Sequence, residues 1–171
     1  AKDIARAVAG ANPEGYRKIE EPILLTDAHA TAVSLKTALM QLARSVRQDD
    51  VAILYFSGHG AQENDETYFL TSDAVEGNLY ATAVNFNDIR TAMRILVDKH
   101  CRVVVFMDAC HAGALYNTKS ISRTLQFAQP GVIGFYSSTD SQQSNEAEKW
   151  QNGVFTRALL DGLAGEARDG Q

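Results

Sequence analysis

The chain has 171 residues, of which 45% are hydrophobic and 22% charged, with a formal net charge of −5. This size and composition fit a single globular domain over residues 1–171. No cluster of Lys and Arg stands out, which argues against nucleic acid and anionic membranes as partners. No apolar run reaches the roughly 20 residues that span a bilayer, and no signal peptide is visible, so we expect a cytoplasmic protein.

Helical spacing of apolar residues appears first in two N-terminal segments. A pattern of Ile4 and Val8 among alanines predicts a helix over residues 1–9. Thr31 then precedes Leu35, Leu39 and further apolar residues at helical spacing, which predicts an amphipathic helix with Thr31 as its N-cap and an end near residue 47.

Two more helices are predicted further along the chain. Asn85, with Asp88 three residues on, resembles a capping box, and the helix that follows should end near His100. The last helix should cover Val154–Leu163, with both of these end residues facing inward.

Short apolar, β-branched runs predict the strands. Buried strands are expected at Ile23–Leu25, Val51–Phe56 and Arg102–Met107, and a fourth strand at Gly131–Tyr136, with short extra candidates at Thr67–Leu70 and Leu79–Ala81. Polar loops are expected at residues 61–66, 114–130 and 137–153. Alternating strands and helices indicate an α/β fold with a mostly parallel sheet and helices on both faces.

Two of the predicted strands run directly into reactive side chains. The segment Arg102–Gly113 reads RVVVFMDACHAG, and Val51–Gly60 reads VAILYFSGHG. Ligands of parallel sheets bind at the carboxyl ends of the strands, so we expect these two ends to lie side by side. An imidazole can take the proton of a thiol, which predicts a catalytic pair of His59 and Cys110. Gly58 and Gly60 should allow unusual backbone torsions around His59.

The two cysteines of the chain are not disulfide partners. A strand between Cys101 and Cys110 would hold them roughly 30 Å apart, whereas a disulfide needs Cα atoms within about 7 Å. Cys101, at the start of a strand, is interpreted as a small buried hydrophobic residue.

The motifs SGHG at Ser57–Gly60 and DACHAG at Asp108–Gly113 resemble the two signatures of the caspase-like cysteine peptidases. They are more similar to metacaspases and their bacterial relatives, the orthocaspases, than to animal caspases. His59 and Cys110 are 51 positions apart, and about 50 is the separation in caspases. The resemblance extends over nearly the whole chain, through LLTDAHAT at Leu24–Thr31, YFLTSDA at Tyr68–Ala74 and the region 137–165.

This resemblance implies a caspase–haemoglobinase fold with a six-stranded, largely parallel sheet, and proteins or peptides as substrates. It also implies Cys110 as nucleophile, His59 as general base and acid, and the backbone N–H groups of Gly60 and Cys110 as the oxyanion hole. The first strand of the family and its C-terminal sheet and helix have no counterpart here. We therefore expect a domain that is incomplete at both ends, and further domains of the same chain stay open as partners.

Asp108 is the main indication of what such an enzyme would cleave. It lies two residues before Cys110 and therefore shares a face of the strand with it. A carboxylate there suits Arg or Lys at the P1 position of the substrate, which the resemblance to metacaspases also implies. The alternative is that Asp108 caps a loop or orients a neighbour. The resemblance further implies Ser137 as a wall of the P1 pocket.

Self-processing and metal binding are two further hypotheses. An enzyme specific for basic residues could cut itself after Lys119 or Arg123 in the 114–130 loop. We expect no cofactor; calcium, which some metacaspases need, is a secondary hypothesis that rests on the acidic residues near His59, while a solvated loop is the simpler interpretation. These residues are Glu63, Asp65, Glu66 and Asp73.

One alternative function stays open from the sequence. A caspase-like module can be non-catalytic and serve as a scaffold or regulatory domain of a larger protein. A nucleotide-binding protein is poorly supported, because neither a P-loop nor a dinucleotide fingerprint is present.

Overall fold

The computed structural model describes residues 1–10, 18–111, 130–137 and 154–166. The α-helices of these residues are α1 (Lys2–Gly10), α2 (Ala32–Ser45), α3 (Leu79–Thr82), α4 (Phe86–Asp98) and α5 (Val154–Asp161), the last followed by a π-helical turn at Gly162–Glu166. The strands are β1 (Val51–Glu63), β2 (Glu66–Phe69), β3 (Val84–Asn85), β4 (Arg102–His111) and β5 (Val132–Tyr136). A 3-10 turn covers Asp27–His29.

The five strands form one sheet in the order β3-β2-β1-β4-β5. The long central pair β1–β4 and the pair β4–β5 are parallel, while β2 and β3 are added antiparallel at one edge. This mixed, mostly parallel sheet confirms the predicted α/β class. Contacts divide the chain into two compact units: Leu25–Gln143, which contains the sheet, and Ala1–Leu24 with Ser144–Gln171.

One face of the sheet packs against α2 and α4. Alternate residues of the central strands are buried on this face, and the helices contribute Leu39, Ile89, Met93 and Leu96. The predicted apolar stripe of α4 is therefore confirmed. The buried strand residues are Ala52, Leu54, Phe56, Val103, Val105 and Met107. That helices also cover the opposite face of the sheet stays a prediction.

The predicted N-caps lie where the sequence indicated. Thr31 caps α2 and forms a reciprocal capping box with Ser34, whose side chain accepts from the Thr31 N–H at 2.9 Å. The Asn85 side chain caps α4 by accepting from the Asn87 N–H at 2.8 Å. Capping of this kind contributes about 1 kcal/mol to helix stability.

Two short strand predictions are wrong. Ile23–Leu25 has no regular structure, and Ile23 and Leu24 are exposed rather than buried. Leu79–Ala81 belongs to helix α3. The first N–H group of this helix donates to the Glu63 carboxylate at 2.9 Å, and the Thr82 hydroxyl donates to the Asn78 carbonyl.

The predicted acidic loop at residues 61–66 is also wrong. Strand β1 continues to Glu63 and pairs antiparallel with β2 in the register Gly60↔Phe69 to Glu63↔Glu66. The intervening Asn64 and Asp65 have positive φ angles of 51° and 62°. This is the backbone of a type I′ turn, which matches the twist of a hairpin and which Asn and Asp tolerate.

The C-terminal helix differs from its prediction in which residues are buried. Thr156 is the buried residue of α5, whereas Val154 and Leu163 are exposed. Leu163 lies beyond the α-helix in the π-helical turn, which rotates it away from the stripe that a continuous α-helix would form.

Within the described ranges, no helix has the length and apolar character needed to cross a bilayer. The loops predicted at 114–130 and 137–153 fall largely outside the described residues.

Candidate active site

The site is built on the parallel pairing of β1 with β4. In this pairing His59 is the Cα partner of Cys110, and Ser57 is the partner of Asp108. Neighbouring strands lie about 4.8 Å apart. Residues paired in register on parallel strands belong to the same face of the sheet, so these four positions form two adjacent pairs on one face.

This face is the one opposite α2 and α4. Residues 103, 105 and 107 are buried toward the helices, so the pleat assigns positions 108 and 110 to the other side. On β1, Ser57 and His59 are exposed, whereas Phe56 is buried. Core residues on the helix side of each strand therefore alternate with polar residues on the opposite side.

Both strands continue past the point where the sequence predicted their ends. Strand β1 was expected to stop at Phe56 and β4 at Met107, yet β1 extends through Ser57–Gly60 and β4 extends to His111. The polar residues are thus held by sheet hydrogen bonding rather than by loops. On the β2 side, the His59 carbonyl accepts from the Leu70 N–H at 2.8 Å.

The prediction that Gly58 and Gly60 adopt unusual torsions is wrong. Both residues lie in extended strand, and neither is among the glycines with positive φ. Packing instead favours glycine at position 58, because a Cβ atom there would lie 3.0 Å from Cζ of Phe69, and the ring would have to shift. The Phe69 ring covers Gly58 and meets Phe56 edge-on, with ring centroids 5.7 Å apart.

Gly60 is buried and is the register partner of His111. A Cβ atom at Gly60 would lie 3.7 Å from the carbonyl oxygen of Tyr68, which is ordinary contact. The role of the Gly60 and Cys110 N–H groups as an oxyanion hole stays a prediction.

Ser57 is the residue that the sequence analysis overlooked. Its partner Asp108 is half-buried, and Ser57 itself is exposed beside it. The signal was present in the sequence, because Ser57 precedes His59 by two residues just as Asp108 precedes Cys110. Once β1 and β4 are taken as parallel neighbours in this register, the equal spacing makes Ser57 and Asp108 partners on the two strands.

Ser137 lies at the end of β5, beside β4. Its N–H donates to the Met107 carbonyl at 3.0 Å, so it follows the strand that flanks Asp108. Its hydroxyl oxygen is buried and has no hydrogen-bond partner within the described residues. This location agrees with a residue at the border of the site. Lys119 and Arg123 lie outside the described residues.

The acidic residues near His59 are engaged in separate structural roles. The Glu63 carboxylate accepts from the N–H of Leu79, and Glu66 accepts from the amide groups of Asn85 and Asn87. Among the residues that the structure describes, no three His, Cys, Asp or Glu side chains are grouped so that they could hold a metal ion. Calcium dependence therefore stays a hypothesis without a described binding site.

Asp73, another of the acidic residues near His59, binds the start of α2. Its carboxylate accepts from the Ala32 N–H at 2.9 Å. The Thr71 hydroxyl has the largest effect in lowering the pKa of Asp73, and the Ala32 N–H lowers it further. The charged carboxylate thus complements the N-terminus of the helix.

A family profile described as the caspase domain matches residues 23–170 of the chain. The chain belongs to the caspase family of cysteine peptidases. Metacaspase-1 of Yarrowia lipolytica is 27% identical in an alignment 150 residues long, which covers 72% of this chain and 31% of that protein. Metacaspase-6 of Arabidopsis thaliana is 26% identical in an alignment 114 residues long, which covers 60% of this chain and 30% of that protein.

This caspase domain thus spans about a third of the length of the curated relatives it matches. These relatives are fungal and plant proteins, so the closer resemblance to bacterial members stays a prediction. The crystal structure of GSU0716 from Geobacter sulfurreducens has the same fold, with a TM-score of 0.58 and 19% identity, over 85% of this chain and 66% of that one.

Of the two cysteines of the caspase domain, Cys101 is removed from solvent. It is buried at the start of β4, and burial raises the pKa of its thiol. Only the thiolate reacts with alkylating agents. A raised pKa of the folded thiol also means that its ionisation lowers stability as the pH rises above the unfolded value of about 8.5.

We expect Cys101 to resist alkylation in the folded protein. A Cys110→Ala variant treated with iodoacetamide at pH 7 should take up no label while folded and one label per chain in urea, as counted by intact mass. Labelling of the folded variant at the rate of the unfolded chain would contradict the burial of Cys101.

Proposed function

We propose that this chain is the peptidase domain of a cysteine endopeptidase that cleaves after Arg or Lys, with Cys110 and His59 as its catalytic dyad. The observation that carries the proposal is the register of β1 and β4, in which His59 is paired with Cys110 and Ser57 with Asp108. A base beside a thiol and a carboxylate beside the expected P1 position are the two requirements of such an enzyme.

In the proposed reaction, His59 takes the proton of Cys110, and the sulfur attacks the carbonyl carbon of the scissile peptide. The N–H groups of Gly60 and Cys110 stabilise the oxyanion. The tetrahedral intermediate collapses as His59 gives the proton to the leaving amine, which forms a thioacyl-enzyme. Water then attacks the thioester, His59 accepts a proton from that water, and the carboxylic acid leaves as Cys110 regains its proton.

Substrate preference is assigned to Asp108, with Ser57 and Ser137 as neighbours. Arg presents a planar fork of N–H donors that a carboxylate accepts in pairs, and the Ser57 hydroxyl beside it supplies a further acceptor. The buried hydroxyl of Ser137 at the end of β5 is a further oxygen near this end of the sheet. Two hydroxyl groups and one carboxylate, with its negative charge, favour a cationic P1 side chain over an acidic one.

The dyad is tested with peptide substrates that differ only at P1. Full-length protein should release a fluorophore from peptides that end in Arg or Lys, and both Cys110→Ala and His59→Ala should lower kcat/KM by at least about 10³-fold. Faster cleavage after Asp would contradict the basic P1 preference. No turnover with any P1 residue, with or without calcium, would favour the non-catalytic scaffold or regulatory module.

The role of Asp108 is tested by Asp108→Asn, which preserves shape and removes the charge. Loss of a charge-assisted hydrogen bond of 1.5–3 kcal/mol should lower kcat/KM for Arg substrates by roughly 10- to 100-fold. Alkylation of Cys110 by iodoacetamide serves as the control, since a small neutral reagent does not need the pocket. Equal losses for Arg substrates and for alkylation would mean that Asp108 supports the dyad instead of P1.

Self-processing after Lys119 or Arg123 is part of the proposed function. Intact-mass spectra of the wild type should contain two fragments, one that ends at Lys119 or Arg123 and one that begins at the next residue. The Cys110→Ala variant should stay whole. A Lys119→Gln, Arg123→Gln double variant should also stay whole and still cleave peptides. Identical intact masses of wild type and Cys110→Ala would reject self-processing.

A further inference from the structure

The segment Phe69–Asp73 connects His59 to the start of helix α2. It begins at the last residue of β2 and ends at the carboxylate that binds the N-terminus of α2. None of its residues belongs to the proposed dyad or to the P1 site. Its contacts at the two ends indicate what it does.

At its first end, the segment holds the backbone of β1 on both sides of His59. Phe69 is the register partner of Gly60, and its ring lies over Gly58. Between these two contacts, the Leu70 N–H donates to the carbonyl of His59 at 2.8 Å. The backbone of the exposed His59 is thus held by a hydrogen bond and by packing against a buried aromatic ring.

At its other end, the segment is attached to the turn before α2. The Asp73 carboxylate accepts from the Ala32 N–H at 2.9 Å, and the Ser72 N–H donates to the Ala30 carbonyl at 3.0 Å. The Ser72 hydroxyl adds a longer contact of 3.4 Å to the Ala28 carbonyl. These contacts join residues more than 40 positions apart in the chain.

The turn itself is a rigid support. Thr31 and Ser34 close the capping box at the start of α2, and the Ser34 hydroxyl also donates to the His29 carbonyl at 2.5 Å. Further along the helix, Leu39 and Ala43 are buried in the core. A segment attached here is attached to the packed layer of the domain rather than to a free loop.

We propose that the segment Phe69–Asp73 positions His59 against Cys110, with Asp73 as the positioning residue that attaches it to α2. This inference rests on the proposed dyad. A bend of the segment away from α2 would pull Leu70 from the His59 carbonyl and Phe69 from Gly58, which moves the imidazole relative to the thiol. Small displacements matter, because the proton transfer needs heavy atoms within about 2.6–3.2 Å.

The chemistry of Asp73 allows a conservative rescue. Its function in this role is to accept the hydrogen bond of the Ala32 N–H, and the side-chain oxygen of Asn accepts this bond as well. Asp73→Asn therefore keeps the attachment, whereas Asp73→Ala removes it. Thr31→Ala is the matched control, because it weakens the same end of α2 and leaves residues 69–73 unchanged.

The readout is the pH profile of Cys110 alkylation by iodoacetamide, followed by mass spectrometry of the Cys110 peptide. A thiol paired with an imidazole reacts well below the ordinary thiol pKa of about 8.5. A merely structural role of Asp73 would lower the folded fraction and leave the profile of the folded protein unchanged. His59 and Asp108 share the face with Cys110, so both are kept in every variant.

Wild-type protein should react below pH 7. Asp73→Ala should move the profile toward that of an ordinary thiol and lower the rate at pH 7 and kcat/KM by about tenfold. Asp73→Asn and Thr31→Ala should stay within about twofold of the wild type. If Asp73→Ala does not fold, Phe69→Leu, which withdraws the ring from Gly58, should give the same shift and decides the question.

A wild-type profile in the folded Asp73→Ala or, failing that, in Phe69→Leu overturns this inference alone. An equal shift in Thr31→Ala also overturns it, because any weakening of α2 would then suffice. An ordinary thiol profile in the wild type overturns the dyad itself, and this inference with it. The wild-type curve therefore separates failure of the proposed function from failure of the positioning role.

Discussion

The parallel register of β1 and β4 is the constraint on which the site depends. His59 is paired with Cys110, and Ser57 with Asp108, only in this register. Side chains of a strand alternate between faces, so a shift of one residue would transfer the polar set of one strand to the face of α2 and α4. The backbone hydrogen bonds between the two strands would not prevent such a shift by themselves, since they do not depend on which side chains are partners.

Burial on the helix side selects the register. Leu54 and Phe56 on β1, and Val105 and Met107 on β4, are buried against the helices. Each such side chain contributes about 1.5–3 kcal/mol when it is removed from water. A one-residue slip of either strand would expose its core residues and bury its polar ones, so the core holds the reactive face in place from behind.

Packing also explains the glycine that precedes His59. Gly58 is in extended conformation, which any residue can adopt, yet the Phe69 ring takes the space where a side chain would begin. The same ring contacts Phe56. The motif SGHG thus combines an exposed imidazole with a position at which an added Cβ atom would contact the Phe69 ring tightly.

Elements whose signal is local were predictable from the sequence. Thr31 and Asn85 cap their helices because a polar side chain before an apolar stripe acts on its own first turn. The apolar runs of β1, β4 and β5 were recognisable for the same reason. Elements that depend on distant residues were not predictable from the sequence. Leu79–Ala81 is helical, and its first N–H group bonds to the distant Glu63 carboxylate, while Ile23–Leu25 is not a strand.

The acidic stretch after His59 is the most instructive error. Its composition is typical of a loop, but Asn64 and Asp65 take the positive φ angles of a tight hairpin turn, and the residues before them extend β1. The carboxylates of Glu63 and Glu66 then bind different backbone and amide groups. The polar composition agrees with the exposure of residues 64–66, but it did not predict that the stretch forms a hairpin.

The sequence by itself determined the family resemblance, the α/β class and the residues that we propose carry the chemistry, because reactive side chains at the ends of apolar runs are a local pattern. Only the tertiary structure decided which of these residues are neighbours. The pairing of Ser57 with Asp108, the contact of Phe69 with Gly58 and the attachment of Asp73 to α2 all join segments that are distant in the chain. Such contacts arise from packing and register, which no single segment encodes.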